Sequence, residues 1–195
     1  PLRRQRQMCI RDSVYGDHKG KWVSEDSDTN PTSPNGICRL NAENSWLSLA
    51  RKKKLPVQIF RLSGIYSNQK NILARLKSGT IKMVKKKNHF FSRVHVDDIS
   101  NILYKSLKIF KPNEIYNITD DKPASSEEVT LYGSKLLDIE LPPVIEVNNL
   151  ENEMLKNFYK DSKKVSNKKM KHMFNYELKY PSYVEGLNSI ANNLT

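Results

Sequence analysis

Apolar residues recur every three or four positions in several parts of this chain, which is the spacing of an amphipathic α-helix. The pattern predicts four helices before residue 140 and further helical pieces, separated by Pro181 and Gly186, near the end of the chain. The four helices are 39–53, 71–77, 99–109 and a segment from 125 or 126 to 137. Their end signals are Pro56 after the first, Gly79 after the second, Asp97 capping the third, and a capping box of Glu128 with Ser125 or Ser126 opening the fourth.

Short apolar runs between these helices are typical of buried β-strands. The predicted strands are 57–62, 95–96, 114–118 and 142–147, and Val14-Tyr15-Gly16 is interpreted as a strand end that runs into a turn. Residues 17–34 are polar and contain two prolines, so they are expected to form a loop, as is the stretch around Gly64. Strands that alternate with helices predict an α/β fold with a parallel sheet.

The composition is that of a folded chain, with 37% hydrophobic residues among 195. This length corresponds to one domain with a sizeable core. No run of about 18 apolar residues and no secretory signal pattern occurs, so we expect a cytoplasmic protein without a membrane span. The two cysteines exclude a disulfide scaffold and a four-cysteine zinc site.

The first residues differ in composition from the rest of the chain. Four of the nine arginines fall within residues 3–12, whereas lysine dominates elsewhere. The run from Arg3 to Asp12 matches a translated transposase-type sequencing adapter, so we interpret residues 1–13 as non-native; the alternative is a native basic arm that binds phosphate. Leaving out the four arginines and Asp12 lowers the net charge from +12 to +9.

A strongly basic chain suggests a nucleic-acid partner. The basic clusters are 51–54, 85–87 and the lysines of 156–171. No helix-turn-helix, zinc-finger or ribonucleoprotein motif accompanies them, and the first cluster ends a helix, where cations interact favourably with the helix dipole. Solvated surface is therefore the preferred interpretation, and a basic nucleic-acid-binding module is kept as the weaker alternative.

Several motifs occur in a characteristic order. They are Val14-Tyr15-Gly16, Asn35-Gly36-Ile37-Cys38-Arg39-Leu40-Asn41-Ala42-Glu43, Phe60-Arg61-Leu62-Ser63-Gly64-Ile65-Tyr66, His95-Val96-Asp97-Asp98-Ile99, Glu114 to Pro123 and Tyr180 to Leu187. This set resembles the NAD-dependent epimerase/dehydratase branch of the extended short-chain dehydrogenase/reductase superfamily, in an atypical subgroup, over residues 14–195. The resemblance implies a partial Rossmann-like doubly wound parallel sheet, its C-terminal half, with a small C-terminal substrate-binding region.

The resemblance also implies NAD or NADP as cofactor and a small-molecule substrate. The family holds the cofactor phosphates on a glycine-rich turn at the start of its first helix. No G-x-G-x-x-G sequence occurs here, and the acidic residue that binds the ribose is missing too. We therefore interpret 14–195 as the C-terminal part of such a protein and expect this chain to bind dinucleotides poorly.

Catalysis in the family uses a tyrosine as acid and base, a lysine four residues later, and a serine or threonine that orients the substrate. Matching the motifs places Asn35 at the tyrosine position and Arg39 at the lysine position. Asn35 cannot ionise, while Arg39 can still hold ribose hydroxyls, or is an ordinary residue of the first helical turn. The serine or threonine position falls near residues 11–12, within the foreign segment.

The resemblance places Leu62, Ser63 and Gly64 at the nicotinamide end of the cofactor, and Tyr15 and Tyr66 along the substrate cleft. Tyr66 could instead be half-buried packing.

Many relatives that bind sugar nucleotides carry an arginine four residues before the histidine of the His-Val-Asp-Asp segment, where this chain has Phe91. Arg93 lies two residues later and either meets an anionic group of the substrate or is structural. His95 is given a structural role, and Asp120 and Asp121 are interpreted as a turn because no third ligand lies at a matching spacing. No metal site is predicted.

Epimerase, dehydratase and reductase chemistry all remain open for the complete protein. Because the acid/base tyrosine is absent, a non-enzymatic NAD(P)-binding regulator is the alternative from another class. The substrate, the choice between NAD and NADP, and the oligomeric state are not determined by the sequence.

Overall fold

The computed structural model of the protein describes residues 12–193. Within this range, short strands alternate with helices. The strands are β1 (Trp22–Val23), β2 (Gln58–Leu62), β3 (Gly64–Tyr66), β4 (Met83–Lys85), β5 (Arg93–His95), β6 (Glu114–Ile118), β7 (Val144–Glu146) and β8 (Lys164–Val165). The helices are α1 (Pro34–Lys53), α2 (Ile72–Lys77), α3 (Val96–Lys108), α4 (Ser126–Leu137), α5 (Glu153–Lys160), α6 (Lys168–Phe174) and α7 (Tyr183–Asn192). Short 3-10 turns lie at Asp12–Tyr15 and Val147–Asn149.

The named strands pair only in parallel: β2 with β6, β3 with β5, β4 with β7 and β1 with β8. Parallel neighbours need a long crossover connection, which the intervening helices provide. The predicted α/β fold with parallel strands is confirmed.

Ser63 lies between β2 and β3, where the chain exchanges one pairing partner for another. Its backbone N–H donates to the Ile118 carbonyl at the end of β6, 3.1 Å away, and the Gly64 N–H donates to Ser92 O, also at 3.1 Å. The β2–β6 and β3–β5 pairs are therefore adjoining parts of one layer.

Two apolar cores hold the helices on this layer. The first joins the β2–β6 pair to α3 and α6 and consists of Leu62, Val94, Ile99, Ile102, Tyr116, Ile118, Met170, Phe174 and Leu178. The second joins α2, α4 and α7 and consists of Tyr66, Leu73, Ala124, Val129, Tyr183, Leu187 and Ile190. None of the helices within residues 12–193 is long and apolar enough to cross a membrane.

Several local expectations were wrong. Residues 17–34 are not all loop, because β1 lies within them, and Val96 begins α3 instead of ending a strand. Residues 14–16 are not a strand end, because Val14 and Tyr15 close a buried 3-10 turn. The stretch at Gly64 is not a loop, because it pairs with β5. Asp97 does not cap α3, because its backbone N–H donates to the ring Nδ1 of His95, which occupies the cap position itself.

Two helices also depart from the predicted boundaries. The first begins at Pro34 with Ser33 as its cap, several residues earlier than expected. Gly186 lies inside α7 rather than between helices. A Cβ at this position would lie 2.0 Å from the Tyr66 hydroxyl, so no larger residue fits without a shift. The glycine therefore allows α7 to approach β3 closely.

The expectation that α1 buries an apolar face holds only in part. Its buried side chains are those of Glu43 and Ala50, with Gly36 at the first turn, while Trp46 is 54% exposed. The Glu43 carboxylate receives two hydrogen bonds from the Arg61 guanidinium, at 2.7 and 3.1 Å. The contact of α1 with β2 is therefore ionic where the sequence pattern suggested an apolar one.

Residues 1–11, most of the segment interpreted as foreign, lie outside the described residues. Asp12 and Ser13, its last two residues, are buried.

Candidate functional site

Three side chains with acid/base or hydrogen-bonding groups lie at the carboxyl ends of adjoining parallel strands. Tyr66 ends β3, His95 ends β5, and Asp120 follows β6 by two residues. All three are buried. In open α/β sheets the crevice outside the carboxyl ends is where ligands bind. This edge is therefore the candidate site.

His95 stands between two aromatic rings. Its ring centroid lies 5.1 Å from that of Tyr66 and 4.3 Å from that of Tyr180. Because Nδ1 accepts the Asp97 N–H at 3.1 Å, the neutral ring carries its proton on the buried Nε2. Burial lowers the pKa of His95, so the ring acts as a neutral helix cap, in agreement with the structural role predicted for it.

The surroundings of Tyr66 and Asp120 raise the pKa of both groups. Burial raises the pKa of the Tyr66 phenol, and the nearby Asp120 and Asp98 carboxylates raise it further. Burial also raises the pKa of Asp120 well above its ordinary value, although the Arg93 guanidinium opposes this. Tyr66 is consequently a hydrogen-bond donor rather than a base at neutral pH.

Arg93 is anchored to the main chain. Its Nη1 donates to the carbonyls of Phe91 and Ala124 at 3.2 and 3.0 Å, and its Nη2 donates to Ser125 O at 3.4 Å. The guanidinium also lies 4.1 Å from the centroid of the Phe91 ring. Burial lowers the pKa of Arg93 to about 10, so it stays charged at neutral pH. Of the two roles left open for Arg93, these contacts favour the structural one.

A cleft of about 550 Å3 opens beside Tyr66 and Arg93. Apolar and aromatic side chains form most of its surface, and its charged lining residues are all basic. Its lining includes Tyr66, Lys70, Asn71, Ile72, Arg75, Ile81, Lys82, Phe91, Arg93, Val129, Phe158 and Tyr159. Concave, largely apolar sites with a few charged groups are typical of small-molecule pockets.

The residues predicted as catalytic lie on α1 and do not line this cleft. Asn35 is exposed in the first turn of the helix. Arg39 is half-buried, and its Nη1 donates to the Ser13 hydroxyl at 3.3 Å.

The residues predicted to contact the cofactor are mostly covered. Leu62 belongs to the first core, and Ser63 is only 1% exposed. Gly64 is half-buried, and a Cβ there would lie 3.3 Å from Ser92 O. These three residues therefore line the junction of the two strand pairs.

The two tyrosines predicted for the substrate cleft lie in different places. Tyr66 lines the cleft. Tyr15 is fully buried, where its hydroxyl donates to Asn117 Oδ1 at 2.7 Å and accepts from Arg61 Nη1 at 2.8 Å. The structure thus brings Tyr66 and Arg93 together and leaves Tyr15 in the interior beside α1.

The sequence interpretation missed the basic and aromatic side chains that complete the cleft. Arg75 and Lys82 lie on either side of the turn at Gly79, and Phe158 and Tyr159 come from α5. No motif marks them. The available signal was the absence of acidic residues between positions 64 and 96, where several basic residues occur.

Among residues 12–193, no group of three or more histidine, cysteine, aspartate or glutamate side chains could hold a metal ion. Asp121 instead accepts from Lys171 Nζ at 2.6 Å and from Asn167 Nδ2 at 2.8 Å.

Comparison with solved structures identifies proteins of the same fold. A functionally unknown conserved protein from Silicibacter pomeroyi DSS is 34% identical with a TM-score of 0.86, and the match covers 93% of this chain and 63% of that one. A dTDP-glucose 4,6-dehydratase from Bacillus anthracis, solved with NAD, is 21% identical with a TM-score of 0.78 over 94% and 59% of the two chains. A UDP-glucose 4-epimerase from Thermotoga maritima, solved with UDP-glucose, is 18% identical with a TM-score of 0.77 over 95% and 61%.

No protein-family model and no curated protein matches the sequence. The chain spans about six-tenths of the length of each of these three solved structures. At these identities the dehydratase and the epimerase establish the fold, and the more similar protein has no known function. The chain therefore has the Rossmann-like α/β fold that NAD-dependent dehydratases and epimerases share.

Proposed function

We propose that this chain is the C-terminal, substrate-side part of an NAD(P)-dependent protein of the extended short-chain dehydrogenase/reductase type. Its reaction would be an epimerisation, a dehydration or a related oxidoreduction of a small molecule. The observation that carries the proposal is the cleft beside Tyr66, the last residue of β3, in a fold matched at a TM-score of 0.78 by a dehydratase solved with NAD.

The described residues do not fit a complete dinucleotide. Binding the pyrophosphate requires glycines that let the backbone approach it at a helix N-terminus, and residues 12–193 contain no such turn. Ser63 and Gly64 would contact only the nicotinamide end. We therefore assign no reaction step to the cofactor on this chain.

The chain's own residues support binding and orientation rather than proton transfer. Asn35 has no ionisable group, and Tyr66 is held as a protonated phenol. Arg39, bonded to Ser13, offers a fixed positive charge and hydrogen-bond donors. In this proposal the Tyr66 ring forms part of the cleft wall while its hydroxyl donates to Ser182 O, 3.5 Å away, and Arg39 holds hydroxyl groups beside α1.

A non-enzymatic NAD(P)-binding regulator is the second candidate. It is favoured by Asn35, which is exposed at the position where the resembling enzymes carry an ionising tyrosine. Hydride transfer separates the two candidates. If the complete protein is an enzyme, some substrate changes the absorbance of its bound nicotinamide; a regulator binds the dinucleotide without turnover.

Calorimetry with NAD and NADP tests the cofactor assignment on this chain. We expect no saturable binding at millimolar dinucleotide, because the phosphates have no backbone cradle. A micromolar Kd would contradict this expectation and would show that other residues replace the glycine-rich turn.

A further inference from the structure

The cleft beside Tyr66 carries positive charge that no carboxylate neutralises. Its charged lining residues are Lys70, Arg75, Lys82 and Arg93, and no aspartate or glutamate is among the residues that line it. Lys70, Arg75 and Lys82 form no ion pair within residues 12–193. Positive charge at the mouth of a low-dielectric cleft concentrates anions there.

The basic side chains of the cleft differ in exposure: Arg93 is half-buried, whereas Arg75 and Lys82 are exposed and form its rim. The Arg93 guanidinium already donates hydrogen bonds to three main-chain carbonyls. Arg75 and Lys82 are exposed, so their donors remain available. The positive charge of Arg75 nevertheless reaches the interior of the cleft. Burial raises the pKa of Tyr159, and the charges of Arg93 and Arg75 partly oppose this rise.

Aromatic rings form an apolar floor. The Phe91 and Phe158 centroids lie 4.7 Å apart in an edge-to-face arrangement, and the Arg93 guanidinium supports the Phe91 ring. Such a floor provides dispersion contact and stacking for an apolar or planar body.

Several neutral polar side chains of the cleft are already hydrogen-bonded within the chain, and Asn71 and Ser78 bond to nearby backbone. Asn71 Nδ2 donates to the carbonyls of Ser67 and Asn68, and its Oδ1 accepts from Ala74 N–H. Ser78 Oγ donates to Arg75 O. Within residues 12–193, Gln69 is the one amide of the lining whose side chain forms no hydrogen bond. Few groups therefore remain to recognise the hydroxyls of a sugar.

We propose that this cleft binds a small organic acid, a carboxylate or phosphate group carried on an apolar body, with Arg75 and Lys82 holding the anion at the rim. This inference rests on the proposed function, because it names the substrate class of the same cleft. It departs from the polyhydroxylated sugar ligands named for the solved neighbours.

Titration of the intact chain without dinucleotide tests the inference. The probes are phenyl phosphate, phenylacetate, inorganic phosphate and UDP-glucose, followed by calorimetry and by the NMR signals of the cleft aromatic residues. We expect one of the two aromatic acids to bind at least about tenfold more tightly than inorganic phosphate, which corresponds to about 1.4 kcal/mol. The stronger of the two identifies the anion, and binding weakens as salt screens the rim charges.

Substitutions locate the site. Arg75→Gln and Lys82→Gln are each expected to weaken aromatic-acid binding by about fivefold or more. Lys77→Gln is the matched control, since it removes the same charge from the same helix at an exposed position outside the cleft. Phe158→Leu is expected to weaken phenyl phosphate but not inorganic phosphate, with the melting temperature checking that the variant folds.

Three results would overturn the inference. They are equal weakening by Lys77→Gln and Arg75→Gln, equal affinity for inorganic phosphate and the aromatic acids, and tighter binding of UDP-glucose than of either acid. Because the titration contains no dinucleotide, a failure here is distinguishable from a failure of hydride transfer or cofactor binding in the complete protein.

Discussion

At the scale of single residues, buried ionisable side chains determine how the stability of this chain responds to substitution and to pH. Arg61 is 5% exposed and Glu43 is 8% exposed, and two hydrogen bonds join them across the contact of β2 with α1. Tyr15 and Asn117 extend this network from the opposite side. A buried ion pair contributes little net stability, but removing one partner leaves an uncompensated charge in the interior.

Glu43→Gln is therefore expected to lower the free energy of unfolding by about 3 kcal/mol or more. Urea denaturation followed by circular dichroism measures the change. Glu153→Gln is the control, because it breaks an exposed pair with Lys156 at 2.9 Å and should leave the midpoint unchanged. Equal effects of the two substitutions would show that the Arg61 charge is solvated in the folded chain.

His89 predicts a pH dependence of stability. Burial and the nearby Lys86 lower its pKa from 6.5 to about 4. Between these values the unfolded chain binds a proton that the folded chain excludes, so stability is complete above about pH 6.5 and decreases as the pH falls towards 4. The loss from this group is of the order of 3 kcal/mol.

His89→Gln is expected to flatten this decrease while retaining a donor for the Asp161 carbonyl, which His89 Nε2 contacts at 2.9 Å. Asp120 opposes this trend, because its raised pKa lets the folded chain keep a proton that the unfolded chain releases. The contribution of His89 is therefore the difference in the pH dependence of stability between the variant and the wild-type chain. His172→Gln, at an exposed position on α6, serves as the control in the same pH series of thermal melts. An unchanged slope in His89→Gln would exclude this histidine as the source.

At the scale of elements, caps and close approaches fix how the helices meet the strands. The α4 cap is a capping box in which Ser125 Oγ accepts from Glu128 N–H at 3.0 Å and the Glu128 carboxylate accepts from Ser125 N–H at 2.8 Å. The same device starts α7 at Ser182 and Glu185. The position of α7 depends in addition on a residue without a side chain, because Gly186 rests against Tyr66.

Gly186→Ala tests this contact between α7 and β3. The added Cβ would lie 2.0 Å from the Tyr66 hydroxyl, so either the ring or the helix must move. We expect a loss of about 1–3 kcal/mol in stability, despite the better helix propensity of alanine, together with altered ligand binding in the cleft that Tyr66 lines.

Gly133→Ala is the matched comparison for this substitution. Its Cβ would meet Leu76 Cδ1 at 2.8 Å, which is the end of a flexible side chain that can move aside. A smaller loss of stability and unchanged ligand binding are expected. If the two variants have equal melting temperatures, α7 does not depend on a close approach to Tyr66.

At the scale of the whole molecule, the net charge is +12, and several of the lysines lie in ion pairs with carboxylates. Lys111 and Lys169 both pair with Glu114, Lys171 pairs with Asp121, and Lys179 pairs with Asp97. Basic side chains that form no ion pair within residues 12–193 lie together at 51–54, at the end of α1, and along the cleft. This distribution favours a small anionic ligand over a nucleic-acid backbone, which would need a continuous basic track.

The sequence by itself determined the features that depend on neighbouring residues. The strand 114–118 and the α4 capping box follow from local side-chain preference, and both are confirmed. The alternation of strands and helices was likewise sufficient for the parallel α/β fold. The motif resemblance led to the fold later matched by solved dehydratases and epimerases.

Only the tertiary structure decided which residues share a site. Tyr15 and Tyr66 are equivalent candidates in the sequence, but the first is covered by the Arg61 network and the second lines the cleft. The local sequence around Gly64 predicts a loop, whereas in the folded chain Gly64 pairs with β5. Burial, pairing and electrostatic environment arise from contacts between distant segments, so local pattern does not contain them. The gathering of Arg75, Lys82 and the α5 aromatic residues around one cleft is therefore a property of the folded chain.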